Sequence, residues 1–245
     1  MSLRPPPHRA MILAAGRGTR LATLTATTPK PLIRVGGMAL IDLALRQMQA
    51  AGVCEYVVNT HHLAERVEDH VRRWPVPRLH ISREADLLDT GGGVARALPW
   101  LGLTPFYVAN SDVIWLEPPG RSLKQLAAAW REDRMDALLL VAASVSAKGY
   151  DGPGDFTMQP DGRLVRRAPS TLAPFVFTGA QLLSPRAFVG APRGAFSLNW
   201  VYDRAAERGR LYGLRHEGQW IDAGTPERLH LAGEALLHER QGALW

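Results

Sequence analysis

Apolar positions in this chain fall into short blocks that switch between two periods. Ala10-Met11-Ile12-Leu13 is an unbroken apolar run, the pattern of a strand buried on both faces. Leu40, Ile41, Ala44, Leu45 and Met48 then recur at helical spacing and stop before Gly52, which predicts an amphipathic helix with a glycine at its C-terminal end. Residues 55–59 read as a strand, 63–73 as a helix, 79–82 as a strand and 94–98 as a short helix stopped by Pro99. A buried strand is expected over 106–112, ending in Asp112, then a helix over 122–131 and an apolar strand over 137–143. Further on come a strand over 175–183, a helix over 198–208, a strand over 211–214 and a last helix over 227–240, with Thr225 and Pro226 suited to its start. Strands alternating with helices predict an α/β fold: a Rossmann-like, mostly parallel sheet with helices on both faces.

The character changes between residues 148 and 174, where glycines, prolines and short polar segments suggest hairpin strands over 155–158 and 164–166. This stretch reads as a small variable lobe inserted over the sheet. Residues 1–9 are expected to form a disordered tail and residues 10–245 a single domain, a length that one core can serve.

Composition narrows the function classes. The hydrophobic share of 46% and the charged share of 21% are those of an ordinary globular protein. One cysteine, Cys54, excludes a disulfide framework or a cysteine metal site within the chain and fits a reducing cytoplasm. No apolar run approaches the ~20 residues that span a bilayer, and the first ten residues lack the apolar core of a signal peptide, so no membrane role is expected. A formal net charge of +6 invites a nucleic-acid reading, but the arginines are scattered and not interleaved with aromatics. Small anionic substrates explain the charge as well. The chain is expected to act as a monomer or homodimer.

The candidate chemistry starts where the first strand ends. Leu13-Ala14-Ala15-Gly16-Arg17-Gly18-Thr19-Arg20-Leu21 joins glycines to arginines, and Pro29-Lys30-Pro31-Leu32 follows. Glycines let main-chain N–H groups close on an anion while basic side chains neutralise it. The loop is not a Walker A, since no Gly-Lys-Ser/Thr follows, and it lacks the regular GxGxxG of dinucleotide folds. Thr90-Gly91-Gly92-Gly93 offers a second set of free donors. Asp112 at a strand end and Asp222 in a late turn could share a Mg²⁺ ion with phosphate oxygens. His61-His62 invites a metal reading, but adjacent residues share no face and are better read as loop residues.

These stretches together resemble the signature of the sugar-phosphate nucleotidyltransferases, the NDP-sugar pyrophosphorylases. The first loop with Thr25 and Pro29-Lys30-Pro31-Leu32, Asp89-Thr90-Gly91-Gly92, the Asp112 strand end, Thr178-Gly179 and Trp220-Ile221-Asp222-Ala223-Gly224-Thr225-Pro226 stand in the family's order and cover nearly the whole chain. Within the family, Leu88-Asp89-Thr90-Gly91-Gly92-Gly93 and Gly154-Asp155-Phe156 look most like the branch that uridylylates N-acetylmuramate 1-phosphate in cell-wall recycling. Mannose-1-phosphate and heptose-phosphate guanylyltransferases have similar loops and are the alternative.

The resemblance implies a GT-A-like nucleotidyltransferase fold with a small sugar-binding lobe, an NTP (UTP favoured) and a sugar 1-phosphate as partners, and Mg²⁺ as cofactor. It implies that Ala14, Ala15, Gly16, Arg17, Gly18 and Thr19 wrap the triphosphate, that Arg20 holds the pyrophosphate, and that Lys30 faces the α-phosphate. Asp112 and Asp222 would share the metal. Leu13, Glu84, Thr90 and Gly91 would lie at the base and ribose, and Asn110, Asp155, Thr178 and Gly179 at the sugar. No general base is implied, because the sugar phosphate is already an anion near pH 7.

Departures are visible. The family's Glu-Lys-Pro lysine has only Arg166-Arg167-Ala168-Pro169 near its place, leaving the sugar-phosphate clamp open between Arg166 and Arg167. Ser111 replaces a common glycine, and Met38-Ala39 replaces a usual lysine-proline. A catalytically silent nucleotide-binding relative is the competing reading from another class; retention of Arg20, Lys30, Asp112 and Asp222 weighs against it. A phosphocholine-type cytidylyltransferase would need an aromatic cage, for which Phe156, Phe175, Phe177 and Trp220 are the candidates.

Overall fold

The computed structural model describes residues 6–242, so residues 1–5 of the expected tail lie outside the described residues. In chain order the strands are β1 (Arg9–Leu13), β2 (Arg34–Val35), β3 (Met38–Ala39), β4 (Glu55–Thr60), β5 (Arg78–Arg83), β6 (Phe106–Asn110), β7 (Val113–Leu116), β8 (Ala137–Ala143), β9 (Phe156–Met158), β10 (Leu164–Arg166), β11 (Phe175–Leu183), β12 (Leu211–Arg215) and β13 (Gln219–Asp222). The helices are α1 (Ala22–Thr25), α2 (Leu40–Ala50), α3 (Ala64–Val71), α4 (Asp89–Leu101), α5 (Arg121–Ala129), α6 (Asn199–Glu207) and α7 (Pro226–Gly242).

The central sheet runs β10-β9-β11-β6-β1-β4-β5, with β8 on β11 and β12 on β8. Strands β6, β1, β4 and β5 are parallel; β11 is antiparallel to both β6 and β8, so the sheet is mixed. Strand periodicity divides the core in two. Ala10 and Ile12 face one side with Ile41, Leu45 and Met48 of α2, while Met11 faces the other with Val94, Ala97 and Leu101 of α4. A third cluster seats Ile114 of β7 and Ile221 of β13 against Leu229 and Ala232 of α7.

Four expectations need correction. The first strand begins at Arg9, whose guanidinium pairs with Glu55 at 2.7 Å, and the main-chain oxygen of His8 already accepts from Cys54 and Glu55. Helix α4 begins at Asp89 rather than Val94 and runs through Pro99 to Leu101. Its glycines are packing residues: a Cβ on Gly92 would stand 2.3 Å from the Gly194 oxygen, and one on Gly91 2.5 Å from the Phe196 ring. Pro99 gives up its own main-chain bond and crowds the carbonyl of Ala95, but it stands in the last turn, where little helix follows to be disrupted.

The third concerns the lobe. The hairpin within residues 148–174 does not lie over the sheet: β9 and β10 extend its edge, joined to β11 where Phe156 meets Phe175. The strand expected over 106–112 ends at Asn110 as β6, and a separate β7 starts at Val113, leaves the central sheet and pairs with β13.

Candidate active site

Strands β1, β4 and β6 end level with one another, Leu13 lying in register with Asn59 on one side and Asn110 on the other. The chain runs outward from β1 through β4 to β5 and then crosses back to β6 on the other side of β1, so a crevice opens beyond the carboxyl ends of the strands, the usual place for a ligand in such sheets. A cavity of about 310 Å³ occupies it. One wall is the glycine loop, Leu13 to Gly16 and Gly18 to Arg20. The opposite wall is the start of α4 with Leu87, Asp89 and Thr90, and the floor carries Asn59, Asn110, Ser111 and Asp112.

Lys30 enters from the side. Pro29 and Pro31 flank it at a single turn of 3-10 helix, Lys30–Leu32, and its side chain is nearly buried. Its ammonium is ion-paired with the Asp112 carboxylate inside the cavity. Asp222 arrives by a different route, the β13–β7 ladder, which sets it opposite Val113, the residue after Asp112. Two residues far apart in sequence are therefore brought to neighbouring main-chain positions, with Asp112 lining the cavity and Asp222 outside its lining. The Asp222 carboxylate accepts from Arg228 at 2.5 Å and lies 4.0 Å from the Arg20 guanidinium. Arg228 also reaches Asp151 at 2.7 Å, tying the β9–β10 region to this corner.

The expected residues divide by position. Leu13, Ala14, Ala15, Gly16, Gly18, Thr19, Arg20, Lys30, Thr90, Asn110 and Asp112 all line the cavity. Arg17 belongs to the same loop but is exposed and is not part of the lining. Glu84, expected at the base and ribose, is instead buried behind the wall: its carboxylate accepts from Asn59 Nδ2 at 2.8 Å and from the Leu88 N–H at 2.9 Å. Gly91 faces Phe196, for the packing reason given above.

Among the expected sugar contacts, the Thr178 hydroxyl is fully buried and donates to the Leu140 oxygen at 2.8 Å, while Asp155 accepts from the Phe177 N–H at 2.8 Å. Gly179 lies beside Asn110 and Val113. Arg166 turns to Asn199 and Asp203 of α6, and Arg167 to the main chain at Gly154, Ala168 and Thr171, so neither reaches the cavity. The aromatic cage is not assembled either. Phe156 and Trp220 are core residues, and the Trp220 indole donates to the Thr178 oxygen at 3.1 Å. His61 and His62 brace loops through the Glu84 and Thr25 oxygens.

Asn59 is a polar cavity residue that no motif singles out. Its Oδ1 accepts from the Ala14 N–H at 2.8 Å. The one available signal is a polar residue near the end of the otherwise apolar run Tyr56-Val57-Val58.

Comparison with known proteins bears on the family and the fold. Residues 10–154 match the model of a MobA-like NTP transferase domain. An N-acetylmuramate alpha-1-phosphate uridylyltransferase from Caulobacter vibrioides is 41% identical over 238 residues, covering 95% of this chain and 98% of its own length. The protein of that name from Neisseria meningitidis is 36% identical over 225 residues, 90% of this chain and 95% of its own. Among solved structures, the inositol-1-phosphate CTP transferase from T. maritima superposes with a TM-score of 0.79 at 18% identity, over 98% of this chain and 99% of its own.

Proposed function

The chain belongs to the MobA-like NTP transferase family, and from that premise we propose that it transfers UMP from UTP to N-acetylmuramate 1-phosphate, giving UDP-N-acetylmuramate and pyrophosphate. The observation that carries this reading is the convergence of the glycine loop, Lys30 and Asp112 on one cavity at the ends of β1 and β6. The sugar and the base rest on the two uridylyltransferase relatives, which match this chain almost end to end. Such an enzyme would work in the cytoplasm, where UTP is made, and would serve cell-wall sugar recycling.

The transfer is a displacement at phosphorus. An oxygen of the sugar phosphate attacks the α-phosphorus of UTP, the bond to the bridging oxygen breaks, and pyrophosphate leaves with the electron pair. No proton must be removed from the attacking group, which is already anionic. The work of the protein is then to align two anions and offset their repulsion. Main-chain N–H groups of the glycine loop suit the triphosphate, Arg20 the departing pyrophosphate, and Lys30 the charge that gathers at the α-phosphate. Asn110 lies at the cavity floor on the side of the β9–β11 region, from which the sugar would be read.

Asp112, just before β7, and Asp222, at the end of β13, offer hard oxygen donors, and this donor set fits Mg²⁺, which needs few protein ligands when phosphates supply the rest. When bound, the ion would neutralise phosphate charge and help hold the two substrates in line.

The test is pyrophosphate release from each of the four NTPs against a panel of sugar 1-phosphates that includes N-acetylmuramate, mannose and glucose. UTP with N-acetylmuramate 1-phosphate is expected to give the highest kcat/KM. Preference for GTP with mannose 1-phosphate would replace the substrate assignment, and no release with any pair would overturn the enzyme reading.

A further inference from the structure

Behind the cavity, one buried carboxylate holds both of its walls. Glu84 is 3% exposed; one oxygen accepts from Asn59 Nδ2, the other from the main-chain N–H of Leu88, at the residue before α4. Asn59 passes the contact on, since its Oδ1 accepts from the Ala14 N–H at the root of the glycine loop. The chain of donors and acceptors therefore runs from Ala14 through Asn59 and Glu84 to Leu88. It joins the phosphate-loop wall to the wall formed by Leu87, Asp89 and Thr90.

Its polarity is fixed at both ends. The two termini are main-chain N–H groups, which can only donate, so the two side chains between them must together present acceptors outward and one donor–acceptor pair inward. An amide next to a carboxylate satisfies this. Two carboxylates do not, and neither do two amides oriented to accept from both termini, because their NH₂ groups would then face each other.

We propose that Glu84 is a positioning residue that sets the width of the nucleotide slot, acting through Asn59 on the glycine loop and through Leu88 on the start of α4. The proposal rests on the cavity being the nucleotide site. Its distinguishing property is that the order of amide and carboxylate can be exchanged. With Asp at 59 and Gln at 84, the new carboxylate accepts from Ala14 and from the Gln amide, whose oxygen accepts from Leu88.

Three variants test this: Asn59→Asp, Glu84→Gln and the combined N59D/E84Q, each assayed for UTP KM and kcat and for thermal unfolding. Each single variant leaves one buried group facing its own kind, and the expected result is a rise of about tenfold or more in UTP KM with a smaller change in kcat. The exchanged pair is expected to return KM to within about threefold of the parent. If the single variants do not fold, folding and KM must both recover in the exchanged pair. Single variants with parental KM, or an exchanged pair no better than the singles, would overturn the proposal. A parent protein that turns over no NTP would instead overturn the functional reading on which it rests.

Discussion

The ammonium of Lys30 is ion-paired with the carboxylate of Asp112, although 82 positions separate them in the chain. Both side chains reach the cavity, and Lys30 is only 8% exposed, so the pair is partly shielded from water and stronger than a surface contact. On the proposed reading, an incoming triphosphate would compete with Asp112 for the lysine. Lys30→Ala is expected to lower kcat by about 10²-fold or more, by analogy with the loss of one preorganised charge-stabilising group. Pyrophosphate release at saturating substrates measures it, and turnover within a few fold of the parent would refute the role.

On this reading Asp112 and Asp222 would act as a pair, because the β7–β13 ladder sets Asp222 opposite Val113, the residue after Asp112. Chelation of divalent ions is expected to abolish turnover. Asp222→Asn keeps the shape but weakens the donor, and should raise the Mg²⁺ concentration for half-maximal activity by at least about tenfold. An unchanged Mg²⁺ dependence would remove Asp222 from the metal site.

The legible parts of the site are those written locally. A strand running into Gly16, Gly18 and Arg20, and a strand ending near Asp112, follow from periodicity and residue type alone. Pairing of β7 with β13 does not, since Val113-Ile114-Trp115 continues the apolar run of β6 and the intervening Ser111-Asp112 turn carries no glycine or proline to mark it. Glu84, Thr178 and Asp155 are polar residues near motif positions, yet each spends its side chain on the main chain or a buried partner. Residue type announces a hydrogen-bonding capacity. Only the folded chain decides whether it is used inward or offered to a ligand.

Gly93 provides a test in which local and tertiary preferences oppose each other. It sits in α4, where alanine would be favoured by about 1 kcal/mol on helix propensity alone. A Cβ there would stand 2.9 Å from both Asn59 Nδ2 and Glu84 Oε1. Gly93→Ala should therefore destabilise the protein by about 1–3 kcal/mol, the usual cost of overpacking. Chemical denaturation of the two proteins measures the difference, and a more stable variant would show that the pair has room to give.

Acid should weaken the fold through His216. Its ring is fully buried after β12, with Nδ1 2.9 Å from the Ser122 hydroxyl of α5, which donates in turn to Glu117 at the end of β7. Burial pushes its pKa below the ordinary imidazole value of about 6.5, with Glu117 and Glu217 pulling the other way and Arg121 adding to the depression. The unfolded chain therefore takes up this proton first as pH falls. Stability from neutral His216 is complete above pH ~6.5 and declines as the pH drops from there toward the lower folded-state value. Thermal unfolding between pH 8 and pH 5 should show Tm falling across that window. In His216→Gln, which has no titrating ring, the fall should be shallower whatever the starting Tm. Equal pH slopes for the two proteins would mean that another group carries the acid sensitivity.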